Sequence, residues 1–153
     1  MQWREIDGTE RVWTLPASRS KTNEERRVPL CDRLFALLFR QRGPEASLEP
    51  DPAAYVWPGR NGDGPVTGKS VYKYLTQTMG ISATIHGFRS SFRDWAGDTT
   101  HFARNDLEEC LGHAVGGATE RAYRRKDGLD KRRVIMEAWA NHCAGAGPLD
   151  HML

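Results

Sequence analysis

Three short β-prone runs crowd the first thirty residues, and the rest of the chain repeats its apolar residues at helical spacing. Trp3 and Ile6 flank the first run, Asp7-Gly8 is a turn signal, and Val12-Trp13-Thr14-Leu15 is the second run, which Pro16 ends. Arg26-Arg27-Val28-Pro29-Leu30 reads as a third strand whose proline suits a sheet edge. This pattern predicts an α+β domain: a small three-stranded antiparallel sheet near the N-terminus, followed by helices. At 153 residues the chain is long enough for one domain with a real core and hardly long enough for two.

The helical part divides at its caps and glycines. Asp32 reads as the N-cap of a helix over Arg33 to Arg42, with Leu34, Leu37 and Leu38 at core spacing. Residues 43–65 are rich in Pro, Gly and Asp and read as a loop, interrupted by the strand-like Ala54-Tyr55-Val56-Trp57. Thr67 is placed to cap a helix from Gly68 to Met79, with Val71, Tyr74 and Leu75 inward and Lys69 and Lys73 i, i+4 on its other side. A helix from His101 to Gly112 buries Phe102, Leu107, Cys110 and Leu111, and Gly116-Gly117 precedes a short helix over Ala118 to Arg125. The last helix runs from Leu129 to Cys143, with Leu129, Ile135, Met136, Trp139 and Cys143 on its apolar side. The domain is expected to occupy 1–144, with 145–153 as a frayed tail.

Charge and cysteine usage narrow the functional classes. A net charge of +2 is too small to argue for nucleic acid by itself, but the arginines and lysines crowd the C-terminal half, as a phosphate-binding surface requires. The three cysteines show no paired spacing and read as free thiols of a reducing compartment, which places the protein in the cytoplasm. No Cys-x-x-Cys or His-Glu-x-x-His motif supports a metal site, so neither metal nor cofactor is expected. There is no signal-peptide pattern and no apolar run long enough to span a bilayer.

The chemistry concentrates between His86 and Arg125. His86-Gly87-Phe88-Arg89 opens a helix to about Gly97; at helical pitch His86, Arg89 and Arg93 fall within an arc of about 60°. Phe88, Phe92 and Trp95 gather on the opposite face, where they can enter a core. Leu111-Gly112-His113 places a histidine just beyond a helix C-terminus, and Ala122-Tyr123-Arg124-Arg125 follows. A lone His-x-x-Arg recurs by chance and a basic helix face is usually only solvated. The order of these features is more specific. A lysine on the connection between the second and third strands, Lys21, then His-x-x-Arg, then Leu-Gly-His, then a tyrosine about ten residues on resembles the catalytic domain of the tyrosine recombinases, the phage-type integrases in particular. The resemblance covers nearly the whole chain. Tyr55, Tyr72 and Tyr74 do not follow a Leu-Gly-His at that spacing.

The resemblance implies site-specific DNA recombination and integration through a 3′-phosphotyrosyl intermediate, with double-stranded DNA at an attachment site as partner and self-assembly on it. Tyr123 is then the nucleophile, Arg89 grips the non-bridging oxygens, His86 assists proton transfer, His113 donates to the phosphate and Lys21 protonates the leaving 5′-oxygen. Arg93, Lys69, Lys73, Arg124 and Arg125 are candidate DNA-backbone contacts. A phenol with a pKa of about 10 suits such a nucleophile, because it leaves about as readily as it attacks. One departure stands out. The family carries a first catalytic arginine in an Arg-x-x-Glu helix before the first strand, whereas the opening Met-Gln-Trp-Arg-Glu-Ile-Asp reads here as that strand, with Arg4 on it. A chain cut before that helix is expected to recombine weakly, since losing one charge-stabilising donor costs about 2.7–4 kcal/mol of barrier. The alternative is a non-catalytic DNA-binding or regulatory remnant of an integrase.

Overall fold

The structure is a computed structural model that describes residues 1–42, 51–62, 64–113, 115 and 128–145. Its architecture is α+β, as the sequence predicts. Strands β1 (Ile6–Asp7), β2 (Val12–Leu15) and β3 (Arg26–Pro29) form an antiparallel sheet in the order β1-β2-β3. Asp7 closes the first turn by accepting from the Thr9 and Glu10 amides at 2.9 and 2.8 Å. Register pairs Val12 with Pro29 and Leu15 with Arg26, so the proline lies on an edge strand and Arg26 at the end that meets the β2–β3 connection.

Five helices follow among the described residues: α1 (Asp32–Gln41), α2 (Gly68–Lys73), α3 (Gly87–Thr99), α4 (Arg104–Leu111) and α5 (Leu129–Cys143). None is long and apolar enough to cross a membrane. Apolar burial falls into two groups. Phe92 and Ala96 of α3, Leu107 of α4 and Ile135 of α5 form one, with Trp95, Phe102, Cys110, Leu111 and Trp139 packed around it. Leu30, Leu38 and Val56 form the other, under the sheet.

Helix α5 joins the two. Arg132 is buried, and its Nη1 donates to the Arg27 carbonyl of β3 at 2.7 Å. Arg133 donates to the Glu10 and Arg11 carbonyls, and Glu137 accepts from the Asp32 amide at 2.6 Å. That last bond corrects an expectation. Cys31, not Asp32, is the N-cap residue of α1, and a carboxylate from α5 satisfies an orphan amide of its first turn.

Several predicted inward residues stand in solvent. Leu37, Val71, Tyr74 and Phe88 are exposed, and so is Cys143 at the end of α5. Periodicity alone misplaced these residues, since no described element covers those positions. The predicted Gly68–Met79 helix is α2 plus a π-helical turn, Tyr74–Thr78, with Thr67 accepting from the Ser70 amide as its cap. The first predicted strand is largely a 3-10 turn, Trp3–Glu5, which contains Arg4. The strand-like Ala54 to Trp57 lies alongside Met1 to Trp3 through a Gln2–Tyr55 bridge, and Val56 is a core residue rather than part of a surface excursion. The expected helix at 118–125 lies outside the described residues.

Adjacent positions on α5 should separate sharply. Ile135→Ala, at a site 1% exposed, is expected to lower unfolding free energy by about 2–5 kcal/mol. Val134→Ala, at a site 60% exposed, should stay within about 0.5 kcal/mol of the parent. Urea unfolding followed by tryptophan fluorescence measures both.

Candidate functional site

The β2–β3 connection faces the start of α3 and the end of α4 across an open cleft of about 850 Å³, lined by Lys21, Arg26, His86, Arg89, Arg93 and His113 among others. Lys21 is held in a turn: the Asn23 amide donates to the Ser20 carbonyl at 3.2 Å, and Asn23 takes a left-handed φ of 54°. His86 precedes the first residue of α3, and its carbonyl accepts from the Arg89 amide at 3.0 Å. The structure therefore brings together Lys21, His86, Arg89, Arg93 and His113. Lys69 and Lys73, on α2, do not line this cleft. Tyr123, Arg124 and Arg125 lie outside the described residues.

Arg89 and His113 form the centre. The Arg89 Nη2 donates to the Leu111 carbonyl at 2.7 Å and lies 2.8 Å from Nε2 of His113. A guanidinium has no lone pair to offer, so the His113 Nε2 is the acceptor in this pair. Its other nitrogen, Nδ1, then carries the proton and meets the Glu108 carboxylate. Arg93 Nη2 reaches both oxygens of Glu108 at 2.6 Å and lies 3.2 Å from His113 Nδ1. The His113 ring, and after it the Arg93 guanidinium, hold the Glu108 carboxyl below its ordinary value.

The backbone makes this possible. Gly112 ends α4 with φ 83°, and the His113 amide closes the motif on the Glu108 carbonyl at 2.9 Å. The turn reverses the chain and returns the His113 ring over the last turn of α4. Glycine has a second role here. A Cβ at residue 112 would overlap Nη1 and Cζ of the Arg26 side chain, which crosses from β3 and donates through Nη2 to the Glu109 carbonyl at 2.9 Å.

Sequence reasoning missed Arg26 and Glu108. Glu108 left a local trace: it precedes His113 by five residues across a glycine-ended helix, so the Leu-Gly-His turn necessarily brings the two together. Arg26 left none, because its place depends on β3 packing beside α4. Burial, then the neighbouring Arg132 and Arg89 cations, push the Arg26 guanidinium below its ordinary value. Burial likewise raises the Cys110 thiol to about 11, which suits the expected small core residue better than a nucleophile. No cluster of potential metal ligands occurs among the described residues.

Known proteins are similar to this chain in sequence. The chain is 30% identical over 142 residues to prophage integrase IntA of Escherichia coli, covering 92% of this chain and 33% of that protein. It is 30% identical to the integrase of Shigella phage Sf6 over 149 residues, 92% of this chain and 36% of that one. Prophage integrase IntS of Escherichia coli is 29% identical with the same coverage. Over nearly its whole length the chain is thus similar to phage and prophage integrases. It spans about a third of the length of these curated relatives. No family model matches it, and no solved structure does.

The Glu108 pairing gives a pH signature for this domain. Because the folded-state carboxyl titrates below its ordinary 4.5, its contribution is complete above that pH and disappears as pH falls through the lower folded value. The stability difference between the parent and Glu108→Gln should therefore be constant near neutrality and vanish in strongly acid solution. Urea midpoints measured across that range test it.

Proposed function

We propose that this chain is the DNA-cleaving part of an integrase, acting at an attachment site in the cytoplasm and assembling there with further copies of itself. The observation that carries this reading is the state of Arg89. Among the described residues it is paired with no carboxylate; its partners are the Leu111 carbonyl and the His113 ring, on the wall of a cleft that Lys21 and His86 also line. Such a cation is ready for an oxyanion, and the likeness to integrases supports a DNA phosphodiester as that anion.

In this mechanism the phosphate enters between Arg89 and His113, and the guanidinium fork turns from the imidazole to the non-bridging oxygens. Freed from Arg89, the His113 ring also faces the phosphate, steadied by Glu108 behind it. The Tyr123 oxygen attacks phosphorus as its phenolic proton leaves with help from His86. The bond to the 5′-oxygen breaks, and Lys21 supplies the proton that oxygen needs. The 3′-phosphotyrosyl link keeps the bond energy, so a second 5′-hydroxyl reverses the steps and rejoins a strand without an external energy source.

Trapping on a pool of random-sequence nicked duplexes tests the assignment, with adducts read on denaturing gels. The parent chain is expected to give a protein–DNA adduct that Tyr123→Phe abolishes while duplex binding stays nearly unchanged. Arg89→Ala should cut the adduct rate by about a hundred- to a thousandfold. Binding without any adduct from the parent chain would favour a DNA-binding module that does not cleave. Adducts that survive Tyr123→Phe would assign the nucleophile elsewhere.

A further inference from the structure

We infer that Arg26 is a second phosphate-gripping residue of this cleft, working beside Arg89 and seated in the space that a side chain at residue 112 would fill. The inference rests on reading the cleft as a phosphodiester site.

Four arginines line the cleft: Arg19, Arg26, Arg89 and Arg93. Two of them are neutralised within the fold, Arg19 by Glu5 and Arg93 by Glu108. Arg26 and Arg89 are not; among the described residues neither has a carboxylate partner. The two are matched in a further respect. Each spends Nη2 on a carbonyl from the last turn of α4, Glu109 for Arg26 and Leu111 for Arg89, at 2.9 and 2.7 Å. Each guanidinium is thereby oriented from the same helix end and keeps other N–H donors for a ligand.

Arg26 is also placed at an electrostatic cost. It is half-buried, and Arg132 and Arg89 are the neighbouring cations that disfavour its charge. A strand residue whose only duty was structural would lose nothing by being uncharged there. An anion between Arg26 and Arg89 removes the repulsion between them and gains two planar forks of donors. Gly112 is what admits Arg26 to this position, since a Cβ there would drive the guanidinium out.

The experiment uses inorganic phosphate as probe and the whole chain, with the arginine side-chain Nε–Hε resonances followed by NMR. Resonances of Arg26 and Arg89 are identified from Arg26→Lys and Arg89→Lys. Both are expected to shift with one shared dissociation constant. Each variant should weaken phosphate binding by about tenfold, because a charge-assisted hydrogen bond is lost. Gly112→Ala should reproduce the Arg26 loss with Arg26 itself intact; should that variant not fold, Arg26→Lys carries the test alone. An Arg26 resonance that stays fixed while Arg89 saturates, with Arg26→Lys binding as the parent does, would overturn the inference and leave the cleft reading standing. Failure of both arginines to respond to phosphate would overturn the two together.

Discussion

A buried guanidinium decides where everything else can sit. Arg132 lies at 6% exposure in the first turn of α5, a placement that is costly unless its donors find acceptors. One of those acceptors is the Arg27 carbonyl of β3, so the helix that closes the larger apolar core is fastened to the sheet at that residue. Because α5 also packs against α4, the sheet edge and the end of α4 are held at a fixed separation. The cleft is the gap between them. Lys21 and Arg26 come to it from the sheet side, and Arg89, Arg93 and His113 from the helical side.

Within that frame the site is built from competing hydrogen bonds rather than from a preformed hole. His113 is held on one nitrogen by Glu108 and on the other by Arg89, and Arg93 shares the same carboxylate. Without ligand the network satisfies itself. An anion entering the cleft would compete with the Arg89–His113 contact while meeting the remaining N–H donors of Arg26 and Arg89, which favours a ligand able to meet several cations at once. The likeness to phage integrases fits a site that answers to a polyanion.

The secondary structure was legible because it depends on local chemistry. Asp7-Gly8 and Pro16 bounded the strands, Thr67 capped its helix, and Gly112 ended α4 as the sequence suggests. Four members of the site, His86, Arg89, Arg93 and His113, were legible for the same reason: one helix face and one helix end set their spacing. Lys21 was legible only through the family resemblance. What the sequence did not disclose depends on contacts between distant elements. Phe88 and Leu37 were expected inward, yet both are exposed, because periodicity carries no information about the neighbour. The Asp32 amide is satisfied from a helix 105 residues away. Arg26 looked like any alternating strand arginine until the far end of α4 came to lie against it.

Gly112 and Gly128, both left-handed, bracket the stretch that contains Tyr123, and each sits against α4: the first ends that helix, and a Cβ on the second would lie 3.0 Å from the Glu109 carboxylate. The polypeptide leaves α4 and comes back to it. A helix of two turns is thus both one wall of the cleft and the element that Gly112 and Gly128 both meet. Any rocking of α4 would carry the Leu111–His113 wall of the cleft and the Gly128 contact together, so their relative geometry is buffered against larger movements of the rest of the domain.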